Sequence, residues 1–185
     1  MSTKTTILGS GAMATACSIL LAEHPGARVS MWVRLPEHAE ELQKHRENRR
    51  LLPGVPIPPA VEICNDVDQA VAEADLLVAA IPTRYLRETL TGIAGSLTRH
   101  RPVISVIKGL ENDTFLRPSQ IIEEILGSRA VVALSGPSHA EEIARHMPAY
   151  RVIVNKSTVP VGTAEKVAER IAQIVAARGE TIAFD

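Results

Sequence analysis

Residues Thr5 to Arg34, TTILGSGAMATACSILLAEHPGARVSMWVR, decide the fold. A short apolar run, Thr6-Ile7-Leu8, stops at Gly9-Ser10-Gly11-Ala12-Met13-Ala14. A segment rich in Ala and Leu follows, breaks at His24-Pro25-Gly26, and gives way to a second apolar run, Val29 to Val33. Strand, glycine turn, helix, strand is the βαβ unit that binds dinucleotides. Gly9 suits the tight turn, and Gly11 lets backbone approach a pyrophosphate. Ala14 is small enough for the helix to pack on the strand, and the positive helix start faces the phosphates. A plain structural turn between strand and helix is the alternative reading of a lone G-x-G-x-x-A.

The pattern recurs along the chain. Leu35-Pro36 leads into a polar helix over about Glu37 to Arg50, with Pro36 at its start and Glu40–Lys44 as an i,i+4 pair. Pro53 to Pro59 reads as an extended connector, and Val61-Glu62-Ile63 as a short strand. Helices are expected over Asp68–Glu73, Tyr85–Leu97 and Pro118–Leu126, and strands over Leu76–Ile81, Val103–Ile107 and Ala130–Leu134. The strands are continuous apolar runs, as when helices cover both faces of a parallel sheet. Each ends in Gly, Pro or a polar residue, which places the special residues at the carboxyl edge, where open α/β sheets bind ligands. The expected fold is α/β: a doubly wound, mostly parallel Rossmann-like sheet, a single dinucleotide-binding domain over residues 1–185.

Composition narrows the function. At 185 residues the chain has one domain's length, with 45% apolar and 22% charged residues and a formal net charge of −1. Nothing in that balance draws nucleic acid or an anionic membrane, and five aromatic residues offer few stacking platforms. Cys17 and Cys64 lack metal-site spacing and read as buried thiols in a reducing compartment. With no signal peptide and no apolar run of membrane length, a cytoplasmic protein without a membrane span is expected.

Arg34 ends the second strand, where an acid would accept from the ribose 2′-hydroxyl of NAD and an arginine can pair with the 2′-phosphate of NADP. The cofactor expected is NADP or NAD; a solvated arginine is the bland alternative. Lys108 ends a buried strand before Gly109 and should project over the cleft to bind phosphate or carboxylate, unless it merely snorkels off the sheet edge. Ser138 opens an S-x-x-E capping box with Glu141, and its loop, Ser135-Gly136-Pro137, puts a second helix start at the same edge. His139, Glu142 and His146 lack the spacing of a helical metal site, and no metal is expected.

These residues resemble a family. Residues 1–148 are similar to bacterial NAD(P)-dependent glycerol-3-phosphate dehydrogenases through GSGAMATA, WVR, HRENRRLLPGVPIP, ADLLVAAIPTRYLRETL, SVIKGLENDT and ALSGPSHAEEIARHMP. The resemblance implies hydride transfer between NAD(P) and glycerol 3-phosphate or dihydroxyacetone phosphate. It implies that Ala12, Met13, Arg34, Lys108 and Ala140 line the cofactor, and that Lys108, Gly136 and Ser138 approach a small phosphorylated substrate. The family usually has Ser-Trp-Gly at Ala12-Met13-Ala14 and Phe at His139. Its catalytic base is a lysine in a helical domain that follows, so the resemblance places the base beyond these residues and implies that the 185-residue chain alone is catalytically incomplete. Residues 150–185 instead resemble the VNKSTVPVGT segment of UDP-glucose and GDP-mannose dehydrogenases, leading into a helix over Thr163–Arg178 and a strand over Thr181–Asp185. A nucleotide-sugar dehydrogenase fragment and a non-catalytic dinucleotide-binding module are the alternatives, and a homo-oligomer remains open.

Overall fold

The computed structural model describes residues 2–97, 101–128, 130–134 and 163–184. The chain divides into two compact units, residues 1–133 and 134–185.

The first unit is built on a six-stranded, wholly parallel sheet. Its elements are β1 (Thr3–Leu8), α1 (Ala12–Ala22), β2 (Ala27–Trp32), α2 (Pro36–His45), β3 (Glu47–Asn48), β4 (Leu52–Pro56), β5 (Val61–Cys64), α3 (Val67–Ala72), β6 (Leu76–Ala79), α4 (Thr83–Ala94), β7 (Val103–Ser105), α5 (Pro118–Leu126) and β8 (Val131–Ala133). The sheet runs β5-β2-β1-β6-β7-β8, so the strand order reverses between β1 and β6. Successive parallel strands need crossover connections, and helices α1 to α5 supply them, α2 together with the β3–β4 hairpin.

β1 lies at the centre, and Lys4 to Leu8 are all buried, as the continuous apolar run requires. Its polar members find partners: the Thr6 hydroxyl donates to the Ala70 carbonyl at 2.6 Å, and the Lys4 ammonium lies 3.3 Å from Glu73. Leu8, Trp32, Leu77, Leu86, Leu90, Ile93, Ile121 and Ile122 form the core between the sheet and helices α3, α4 and α5. Helix α1 buries only small side chains, Ala14, Thr15 and Ser18, so its backbone can lie close to the strands.

Several local expectations changed. The helix expected to reach Arg50 ends at His45, because Arg46 turns into the left-handed region at φ 50° and donates to the carbonyls of Ile57, Pro58 and Val61. Chain read as a connector then pairs: β3 and β4 form a small antiparallel hairpin. Neither cysteine is fully buried; both are half-buried. Burial and the neighbouring Glu62 and Asp66 push the Cys64 thiol up, against a contact with the Ser30 hydroxyl and the charge of Lys4.

In the second unit, α6 (Thr163–Ala177) is amphipathic. Ile171 and Val175 are buried, with Val167, Ile174, Ile182 and Phe184 packed on them, as spacings of three and four predict. From Thr181 to Phe184 the chain holds no strand beyond one paired residue, Phe184. KSTVPVG, residues 156–162, lies outside the described residues.

Candidate dinucleotide site at the carboxyl edge

Ligands in open parallel sheets bind where the strand order reverses, outside the carboxyl ends. Here that point is the gap between the exits of β1 and β6. Gly9 leaves β1 at φ +123°, and a Cβ there would lie 2.8 Å from the Ala80 carbonyl oxygen at the exit of β6. Ala80 is itself held in the ladder, donating its N–H to Leu8 at 3.0 Å. Gly9 is therefore required by the fold.

Gly11 is different. A Cβ at this position would meet nothing within 4 Å, so its absence serves no internal contact. Gly11 caps α1 without a side chain, and the first turn of that helix holds no acidic residue. Ala12 and Met13 are exposed beside it, Met13 by 40%, whereas Ala14 is fully buried against the sheet. An open glycine at an uncapped helix start accommodates a diphosphate, and these residues fit a dinucleotide.

The conformation of the glycine loop is held from a distance. Asn48, wholly buried on β3, donates to the Ser10 carbonyl at 3.0 Å and to the Thr15 hydroxyl at 2.8 Å. Its carbonyl oxygen accepts from the Leu51 N–H at 3.2 Å, and the Thr15 hydroxyl donates on to Gly11 at 3.0 Å. The hairpin thus clamps the glycine turn. Sequence reasoning missed Asn48; it has no periodicity to mark it, only its place within HRENRRLLPGVPIP.

Helix α4 gathers the cations. The Arg34 guanidinium, just past β2, lies 3.2 Å from the Glu88 carboxylate and 5.8 Å from the centre of the Tyr85 ring. Arg84 stacks on the same ring at 4.5 Å. Thr83, opening the helix, donates its hydroxyl to the Lys108 carbonyl at 2.7 Å. The Lys108 side chain is exposed and makes no hydrogen bond or ion pair among the described residues. Gly109 follows at φ +90°, a turn that glycine makes without strain.

One turn further along α4, Arg87 grips the loop that carries Lys108. It donates twice to Glu111, at 2.8 and 2.9 Å, and once to Glu124 at 2.9 Å. The Thr114 hydroxyl also donates to Glu111. Arg87 first, then Thr114, holds the Glu111 carboxyl down at about 2, and the same pairing raises Arg87. The Glu111 contribution to stability is therefore present above the ordinary carboxylate pKa and is lost as pH falls from 4.5 through 2. We expect Glu111→Gln to be less stable than the parent at pH 6, with the difference shrinking as urea unfolding is repeated down to pH 2.5. A difference that stays constant would remove the ion pair as its cause.

Gly136, Ser138 and Ala140 lie outside the described residues, as do His139, Glu142 and His146. The described residues bring together Gly9, Gly11, Ala12 and Met13 at one loop, Arg34 beside α4, and the Lys108 backbone on the start of α4. Among the described residues, no helix is long and apolar enough to cross a membrane.

A doubly wound sheet whose six strands, counted along the chain without the hairpin, run 3-2-1-4-5-6, with an open glycine turn at its switch point, defines a Rossmann dinucleotide-binding domain. Residues 4–159 match the family described as NAD-dependent glycerol-3-phosphate dehydrogenase N-terminus, and the chain belongs to that family. Its relatives include glycerol-3-phosphate dehydrogenase [NAD(P)+] of Chlorobium phaeobacteroides, 40% identical over 169 residues, or 90% of this chain and 49% of the relative. That of Syntrophomonas wolfei is 38% identical over 148 residues, 78% of this chain and 43% of the relative. The chain spans about half the length of the curated relatives it matches. The glycerol-3-phosphate dehydrogenase structure from Saccharomyces cerevisiae superposes with a TM-score of 0.66 at 26% identity, covering 92% of this chain and 54% of that one. The cofactor named for this family and these relatives is NAD or NADP. The family match runs through residue 159, past the point where nucleotide-sugar dehydrogenase character was expected to begin. A UDP-glucose dehydrogenase from Pyrobaculum islandicum, 16% identical with a TM-score of 0.52, shares the fold alone.

Proposed function

We propose that this chain is the NAD(P)-binding part of a glycerol-3-phosphate dehydrogenase, serving hydride transfer between the cofactor and C2 of glycerol 3-phosphate or dihydroxyacetone phosphate. The observation that carries the reading is the open Gly11 turn at the strand-order reversal, in a chain of this family. When bound, the nicotinamide supplies or accepts the hydride. The work of this chain is to hold the reactants. Backbone N–H groups at the start of α1 receive the diphosphate beside Ala12 and Met13, and Arg34 meets the ribose 2′ substituent. Lys108 binds the substrate phosphate, with its loop fastened by Thr83 and Arg87. Gly136 and Ser138 complete the substrate side and Ala140 the cofactor side, as the family resemblance implies. Residues 1–185 are read as one functional domain. Proton abstraction is assigned to none of the described residues. A cytoplasmic setting agrees with two cysteines that lack metal-site spacing.

Fluorescence titration of the purified chain with NADPH and NADH tests this. Arg34→Asp should weaken NADPH binding by about 1–3 kcal/mol, as for a lost charged hydrogen bond, while NADH binding changes little. Equal losses for both would remove Arg34 from the site, and no binding of either by the parent chain would sink the reading.

A further inference from the structure

We propose that Glu88 is a specificity-determining residue that, by holding the Arg34 guanidinium, biases the site against the 2′-phosphate of NADP and toward NAD. The inference rests on the dinucleotide reading above. Arg34 occupies the β2 exit, where the ribose 2′ substituent is read. The group that a 2′-phosphate would have to engage is already committed, since the Glu88 carboxylate lies 3.2 Å from it. A phosphate carrying about −1.5 to −2 charges can take the guanidinium only by displacing that carboxylate or by accepting it as a like-charged neighbour.

Displacement is feasible because the pair is open to water: Arg34 is 53% and Glu88 69% exposed. Such pairs contribute little to stability and exchange partners readily. Among the described residues Glu88 makes no other hydrogen bond or ion pair, so its charge is not otherwise used. Arg84 lies against the other member of the cluster, the Tyr85 ring, at 4.5 Å. With Glu88 present, the cluster of Arg34, Arg84 and Glu88 carries one net positive charge; with a neutral residue there, it carries two. NAD brings only a 2′-hydroxyl to this place and is nearly indifferent to the change. The presence of both charges explains how one site admits either cofactor: Arg34 supplies the attraction for NADP, and Glu88 limits it.

The experiment compares the parent chain, Glu88→Gln, Arg34→Gln and the double variant, each titrated with NADPH and NADH at low ionic strength. Glu88→Gln should raise the ratio of NADPH to NADH affinity by about 3- to 30-fold, the range of a freed charge-assisted contact to phosphate, with NADH affinity changing less than about 2-fold. In the Arg34→Gln background the same substitution should leave the ratio unchanged, because Glu88 acts through Arg34. A merely structural role for Glu88 would move both affinities together and spare the ratio. An unchanged or lowered ratio in Glu88→Gln, with both cofactors still bound, overturns the proposal while leaving the cofactor site intact. A ratio that rises equally without Arg34 overturns it too, since Glu88 would then repel the phosphate directly. Failure of the parent chain to bind either dinucleotide would overturn the site itself and this inference with it.

Discussion

Gly9→Ala is expected to destabilise the fold by about 2–4 kcal/mol, whereas Gly11→Ala, two residues on, should cost less than about 1 kcal/mol. The backbone at Gly9 has φ +123°, a region that L side chains rarely enter and that costs on the order of 1–3 kcal/mol. The added methyl would also overlap the Ala80 carbonyl oxygen at 2.8 Å. That oxygen cannot yield cheaply, because Ala80 is tied to Leu8 and Gly9 to Trp32 by ladder hydrogen bonds of 3.0 and 3.1 Å. Relief therefore requires separating the two central strands at their ends. Gly11 has φ −73° and open space where its Cβ would stand, so the fold loses only the small preference for glycine over alanine at a helix start. Its loss should appear in binding instead, as at least a tenfold weaker NADH affinity, because the methyl occupies the path of the diphosphate. Urea unfolding and NADH titration of the two variants separate the roles. Equal stability losses at both positions would refute the distinction, and unchanged NADH affinity in Gly11→Ala would move the diphosphate elsewhere.

The second large effect is expected at Asn48. Asn48→Leu keeps the volume but removes two donors and an acceptor from a fully buried position. The Ser10 carbonyl and the buried Thr15 hydroxyl then lose the amide that donates to them, at about 1–3 kcal/mol for a group left unsatisfied, while the Leu51 N–H keeps the Asn48 backbone carbonyl. We expect a total loss of about 2–4 kcal/mol in urea unfolding. Because Ser10 lies between the two glycines, NADH affinity should also fall by about tenfold under conditions where the variant is still folded. An unaltered affinity in folded Asn48→Leu would show that the phosphate turn keeps its shape without the hairpin. Loss of stability alone, with binding intact, would reduce Asn48 to a core residue.

The two glycines also show where reading residues in order stops. G-x-G-x-x-A between two apolar runs identified the βαβ unit because both signals are local: a turn needing glycine, and short apolar runs that stop at breakers on either side. The division of labour between Gly9 and Gly11 was not legible, since it depends on Ala80, seventy-one positions away from Gly9 in the chain and adjacent only once β6 pairs with β1.

Much else was local enough to be seen. Five of the six parallel strands followed from apolar runs ending in breakers, because a strand covered on both faces has no polar side to show; β5, at the sheet edge, was read from Val61-Glu62-Ile63. The α6 helix followed from the spacing of Val167, Ile171, Ile174 and Val175. Membership of the glycerol-3-phosphate dehydrogenase family was carried by contiguous motifs. Arg34 was found by position, at the end of β2, but its partner was not. Glu88 belongs to a helix more than fifty residues later, and nothing in RYLRETL marks its one glutamate as the partner of an arginine at another strand's end. Asn48, Thr83 and the Arg87–Glu111 pair were missed for the same reason. A polar residue advertises itself in sequence only through its neighbours in the chain, whereas what it binds is set by long-range closure. The residue types and their order determined the sheet, its covered faces and the edge where a ligand binds. Tertiary structure alone decided which side chains hold that edge in shape, because hydrogen bonds and ion pairs across it form only after β1, β6 and β7 come side by side and bring the starts of α1 and α4 to one rim.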